Sequence, residues 1–105
     1  MRTSIGRREV ENMQGCESEK VLSEVIAEVR GRLEASHPAQ NALRSAAEVI
    51  KHDEAEMALD DFSHIVKFYR VFITAAEYGK VHSAARGLDM VEILEETNIL
   101  PFVNP

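Results

Sequence analysis

The chain has 105 residues, 45% of them hydrophobic, and a formal net charge of −6. This length predicts a single domain that can bury a core without disulfides or structural metals. The acidic balance argues against nonspecific nucleic-acid binding, which needs cations that displace phosphate counterions, and it favours a partner with a basic surface.

The N-terminal segment differs from the rest of the chain in charge and pattern. Three arginines against two glutamates give residues 1–12 a charge of +1, so the remaining residues carry −7. Residues 1–15 show no apolar period and contain Gly6 and Gly15, which predicts a flexible arm ahead of one domain at residues 16–105. Either Met1 or Met13 is compatible with a natural start.

Three sequence features favour a cytoplasmic location. Cys16 is the lone cysteine, so no internal disulfide can form. No apolar run approaches the length of a membrane span, and the N-terminal arginines lack the apolar segment of a secretory signal.

The first helix is predicted over residues 17–35 because apolar residues recur at the spacing of a buried helical stripe. The stripe consists of Val21, Leu22, Val25, Ile26, Val29 and Leu33. Pro38 suits the first position of a second helix, with Ser36 or His37 just before it. That helix ends near Lys51 or His52.

The third helix is predicted over residues 53–69, with Asp53 as its cap; one long helix bent at KHDE is the alternative. The inward positions of the second and third helices are Leu43, Ala46, Ala47, Ile50, Ala55, Ala58, Leu59, Phe62, Ile65, Val66 and Tyr69. Residues 69–73 are locally strand-like, yet no second strong strand is evident, so a buried connection is expected.

The C-terminal third contains two sequences typical of capped helices. Thr74 and Glu77 form a capping box that opens the fourth helix, and Gly87 is expected to close it in the left-handed conformation. Asp89 and Glu92 repeat the box before a short fifth helix. The tail is expected to pack Ile99, Leu100 and Phe102 and then fray. The elements together predict an all-α bundle of four to five helices with short connections.

The most informative segment is residues 50–62, which places five carboxylates around an apolar helical stripe. These are Asp53, Glu54, Glu56, Asp60 and Asp61. The helix dipole favours acids in a first turn. Asp60 and Asp61 lie in mid-helix, where Asp is a poor helix former and where Glu56 repels Asp60 across one turn. These two positions therefore indicate a surface kept for a partner.

The residue pattern does not favour catalysis or cofactor binding. The acids lie on the polar side of an amphipathic helix, where water would keep their pKa values ordinary. The four histidines include no pair at helical zinc spacing, and there is no cysteine cluster. Nucleotide-binding loops and nucleophile turns are absent from the sequence. We expect no enzymatic activity, metal or cofactor.

Residues 43–90 resemble small bacterial immunity proteins of the Maf and contact-dependent growth inhibition type. The similarity lies in an apolar helix, a His-acid-Glu turn, an acidic helix, a capped helix and a short Gly-Leu ending. The matching residues are His52, Asp53, Glu54, Glu56, Ala58, Leu59, Asp60, Phe62, Thr74, Glu77, Tyr78, Gly87 and Leu88. The chain departs from the pattern at Asp53 and Ala55 in that such proteins often carry glycine or an aromatic residue there, although Asp53 fits the acid of the turn.

The resemblance implies an immunity protein that binds and neutralises one cognate secreted toxin domain. Many such toxins are basic nucleases, so the implied mechanism is steric and electrostatic occlusion without chemistry. The expected contacts are Asp53, Glu54, Glu56, Asp60 and Asp61, with Glu92, Glu95 and Glu96 as a second candidate patch. The alternative function is a helical adapter or regulatory protein-interaction domain, including one that self-associates.

Overall fold

Five helices form most of the protein in the computed structural model, which describes the backbone of residues 2–104 and the side chains of residues 17–104. The elements are α1 (Arg2–Arg32), α2 (Ala39–Lys51), α3 (Ala55–Tyr69), β1 (Ile73–Thr74), α4 (Ala75–Gly87), α5 (Val91–Thr97) and β2 (Val103–Asn104), with a 3₁₀ turn at Leu100–Phe102. The predicted all-α bundle is confirmed.

One hydrophobic core joins all five helices. Its fully enclosed large side chains include Leu22, Ile26, Leu43, Leu59 and Phe62. The apolar stripes predicted for α1, α2 and α3 face this core, with their outermost members half-buried. Helix α1 packs mainly on α4, and α2 packs mainly on α3, so the outer side of α3 is left uncovered by the other described elements.

Helix α1 ends at Arg32, three residues before the expected end, because Gln40 from α2 closes it. The Gln40 amide nitrogen donates to the carbonyl oxygens of Arg30, Leu33 and Glu34 at 3.0, 3.2 and 3.2 Å. Carbonyls at a helix end lack the usual amide partner four residues on and need other donors. The Arg30 and Glu34 carbonyls also accept from the Leu33 and His37 amides. At its other end α1 begins at Arg2, so the expected start at residue 17 is wrong. The side chains of residues 1–16 lie outside the described part of the chain. The flexible arm expected at residues 1–15 therefore stays a prediction.

Helices α2 and α3 are separate, so the bent single helix is wrong. Pro38 is the N-cap of α2 and Ala39 its first residue, so the expected first position for Pro38 is one residue early. His37 Nδ1 accepts from the Ala39 amide at 3.0 Å. Asp53 does not cap α3: it lies in the left-handed region at φ 62° and closes α2, and Glu54 is the N-cap without a side-chain cap bond. Asp tolerates this conformation better than most residues.

The segment after α3 is paired, contrary to the expected unpaired connection. β1 forms a two-residue parallel bridge with β2, with Ile73 opposite Val103. Val71 and Ile73 are buried, and Phe72 between them is exposed, as alternation along an extended strand requires. The tail therefore returns to the domain, with Ile99 buried but Leu100 exposed, which corrects the expectation that Leu100 packs inward.

The Thr74–Glu77 capping box is confirmed, with both reciprocal hydrogen bonds at 3.0 Å. Gly87 is an ordinary helical residue of α4, and the left-handed turn is made by Asp89 at φ 59°. For that reason the second box, Asp89 with Glu92, does not form. Met90 is the N-cap of α5 and makes no side-chain cap bond.

Candidate functional site

The predicted acidic residues divide into three surface groups. The first group surrounds a surface cleft at the turn between α2 and α3, where Asp53, Glu54 and Glu56 meet Glu19 of α1. Met57 and Leu88 supply apolar lining. Asp53 and Glu54 precede α3, so they do not lie on the helix with the other acids, as the helix predicted over residues 53–69 required. The contribution of Glu19 could not be foreseen, since it lies 34 residues earlier in the chain.

The second group, Asp60 and Asp61, lies one turn further along α3. The Asp60 carboxylate is 3.1 Å from His64 Nδ1, which also lies 2.8 Å from the Asp60 carbonyl oxygen. Partial burial raises the pKa of the Asp61 carboxyl, and the neighbouring Asp60 raises it further. The fold thus keeps Asp61 where its charged form is disfavoured.

The third group, Glu92, Glu95 and Glu96, lies exposed on α5. None of these residues lines the cleft of the first group or the cleft that Asp61 lines. The third group therefore shares neither cleft with the other predicted contacts.

Large apolar side chains are exposed around α3, and the sequence interpretation missed them. The exposed fractions are 51% for Met57, 78% for Phe68, 56% for Phe72 and 58% for Leu100. Phe68 lines a cleft with Asp61 and His64, so an aromatic ring borders the second acidic group. Its position was detectable, because Phe68 falls outside the period that places Phe62, Ile65 and Tyr69 inward. Exposed aromatic rings beside polar groups are typical of protein interfaces.

Two basic residues lie at the C-terminal end of α3, beyond its acidic residues. Lys67 and Arg70 line a cleft with Phe72 and Phe102. Neither cation forms an ion pair with another residue among those described. Arg70 is left-handed at φ 54° and ends α3. The exposed side of α3 is therefore acidic in its first half and basic in its last turn.

An ion pair between the half-exposed Arg32 and the buried Glu77 joins α1 to α4. Glu77 is 4% exposed, and both of its oxygens accept from the Arg32 guanidinium, one of them at 2.8 Å. Burial raises the pKa of Glu77, but hydrogen bonds from Arg32 and the Thr74 amide outweigh it and hold the pKa below its ordinary value. Arg32 also donates to the Phe72 carbonyl oxygen at 3.2 Å. The capped end of α4 is thereby fixed beside the exposed Phe72.

Two further findings concern residues within the described part of the chain. No group of three or more His, Cys, Asp or Glu side chains there has an arrangement that could hold a metal ion. No helix there combines the length and apolar character needed to cross a membrane.

Comparisons with protein-family models, with curated proteins and with solved structures gave no match for this chain. The candidate site therefore rests on its own geometry: a helix face with half-buried acids, exposed apolar side chains and a basic end.

Proposed function

We propose that this protein binds and neutralises a cognate toxin domain through the exposed side of α3, as an immunity protein does. The observation that carries the proposal is the pairing of exposed apolar side chains with half-buried carboxylates on that side. Met57 and Phe68 flank Asp60 and Asp61 along the helix. Apolar anchors surrounded by charged groups give an interface both affinity and specificity.

The charge of this face indicates the chemistry of the partner. Asp60 and Asp61 present carboxylates about one helical turn beyond Glu56, so the matching surface carries lysine or arginine. A basic nuclease has such a surface where it holds phosphates. Covering it would block the substrate sterically and electrostatically, without any reaction on the immunity protein.

The test uses the toxin domain encoded immediately upstream of this gene. Co-expression should protect cells from that toxin, and calorimetric titration should show a stable complex. Asp60→Lys combined with Asp61→Lys should weaken binding by about 10- to 100-fold, since reversed charges would face a basic partner. Glu34→Lys combined with Glu48→Lys is the matched control, because both residues are exposed and neither belongs to α3.

Two results would count against the proposal in different ways. Failure of the upstream toxin to bind or to be neutralised would remove the immunity function, and the adapter or regulatory function would then be the better prediction. Equal binding by the α3 double variant and the control would leave the function intact but would show that the contact surface lies elsewhere.

A further inference from the structure

The exposed side of α3 has the repeat of a helix seam, but no helix of the described part of the chain covers it. Its members recur every three or four residues, as in the seam of paired helices. They are Met57, Asp60, Asp61, His64, Lys67 and Phe68. None of them belongs to the hydrophobic core.

Charges along one edge of this seam are separated by sign. At about 100° per residue, Glu56, Asp60 and Lys67 lie on the same edge of the helix. Glu56 and Asp60 are like charges four residues apart and repel each other. Lys67 is seven residues beyond Asp60, about 10 Å along the axis, so it cannot neutralise Asp60 within its own helix. The edge is therefore negative at its start and positive at its end.

We propose that this face binds a second copy of the chain, with the two α3 helices antiparallel and related by a twofold axis at His64. Asp60 lies about 6 Å before His64 along the helix, and Lys67 lies about 4.5 Å after it. Reversing one copy brings Asp60 level with the partner's Lys67. A twofold axis perpendicular to both helices places the edge with Asp60 and Lys67 of one copy beside the same edge of the other copy. Each Asp60 therefore meets the partner's Lys67, and the opposite charges meet twice.

The apolar members of the seam lie on one edge but are offset in this arrangement. Phe68 lies about 6 Å from the axis, opposite the partner's Asp61 at about 4.5 Å and short of the partner's Met57 at about 10.5 Å. The apolar contact between Phe68 and Met57 is therefore secondary. The patch complements itself mainly in the sign of its charges, as a symmetric dimer interface requires of a single surface.

This dimer does not depend on the toxin-binding proposal. It uses Asp60, however, so a bound toxin and a second copy would exclude each other. The protein's own charge of −6 opposes association, so the dimer is expected to be weak and reversible.

Sedimentation equilibrium of the full chain tests the dimer. Between about 10 μM and 1 mM, the mean mass should rise from 11.8 kDa towards twice that value. Asp60→Lys and Lys67→Asp should each weaken the dimer about tenfold or more, because each places like charges opposite one another twice. Mixing the two variants should restore the dimer, since the introduced lysine then faces the introduced aspartate and the remaining native pair is also opposite in sign.

Glu34→Lys and Lys20→Asp make the same charge changes at exposed positions away from α3 and should leave the mean mass unchanged. Circular dichroism checks that each variant folds. A wild-type chain that stays monomeric throughout the range overturns the proposal. So does a dimer that survives either single change, or a mixture in which it is not restored.

Discussion

Arg32→Ala tests how much the ion pair between α1 and α4 stabilises the fold. Removing one partner of a buried pair costs about 3–5 kcal/mol, since the remaining charge loses its counter-ion. The Arg32 side chain is 44% exposed, whereas that of Glu77 is 5% exposed. In the variant, water can therefore solvate part of the Glu77 charge from the side that Arg32 leaves open. We expect the free energy of unfolding to fall by about 2 kcal/mol. That is a large share of the roughly 5–15 kcal/mol typical of a domain.

Urea denaturation at pH 7 gives the free energy of unfolding for wild type, Arg32→Ala, Glu77→Gln and the double variant. Glu77→Gln keeps an oxygen for the Thr74 amide but removes the charge. The double variant should lose little more unfolding free energy than Arg32→Ala alone. The coupling energy between Arg32 and Glu77 would then be about 1 kcal/mol or more. Lys80→Ala is the control: Lys80 pairs with Glu28 at 3.0 Å between the same two helices, but that pair is exposed, so little change is expected.

The pH dependence gives a second check on the same pair. The pKa of Glu77 in the folded protein lies below the ordinary value of 4.5. Its charged form therefore stabilises the fold above that value, and this stabilisation is lost as pH falls through the folded-state pKa. The loss caused by Arg32→Ala should shrink as pH is lowered from 7 through this range. Additive losses, or a cost no larger than that of Lys80→Ala, would refute the assigned role of the pair.

Three other substitutions test single features of the fold by urea denaturation. Ser63→Ala should leave stability unchanged or raise it by up to about 1 kcal/mol, because the buried Ser63 hydroxyl has no hydrogen-bond partner among the described residues; a clear loss would contradict this. Thr74→Ala should cost about 1 kcal/mol through loss of the acceptor for the Glu77 amide, and an unchanged midpoint would show that the cap contributes nothing. Asp61→Asn should stabilise the protein at pH 7 but not at a pH below the ordinary carboxyl pKa, because a raised pKa means that the fold disfavours the charged form. Equal effects at both pH values would show that the Asp61 charge does not destabilise the fold.

The helices were predictable because their determinants are local. The stripe in α1 and the Thr74–Glu77 box each lie within a few turns of one helix, so spacing alone reveals them. Helix ends were less predictable. The left-handed position expected at Gly87 is taken by Asp89, because conformational freedom at a glycine permits that geometry without requiring it.

Contacts between distant residues had no counterpart in the sequence pattern. Arg32 and Glu77 are 45 residues apart, and the β1–β2 bridge joins segments 30 residues apart. A strand of two residues is too short to show a period. The acidic site was foreseen only in part for the same reason: the acids of α3 were evident in the sequence, while Glu19 and the exposed Phe68 depend on how the helices pack.

The two proposals for α3 agree on the need for Asp60 but lead to different expectations for Lys67. A basic partner needs Asp60 but gains nothing from Lys67, whereas the dimer needs both. Dimer formation also lowers the fraction of chains that can bind a partner. Lys67→Asp should therefore bind the upstream toxin domain at least as tightly as wild type in calorimetric titrations, while Asp60→Lys should lose both associations. If Lys67→Asp weakened toxin binding as much as Asp60→Lys does, the acidic half of α3 would not be the part that recognises the toxin.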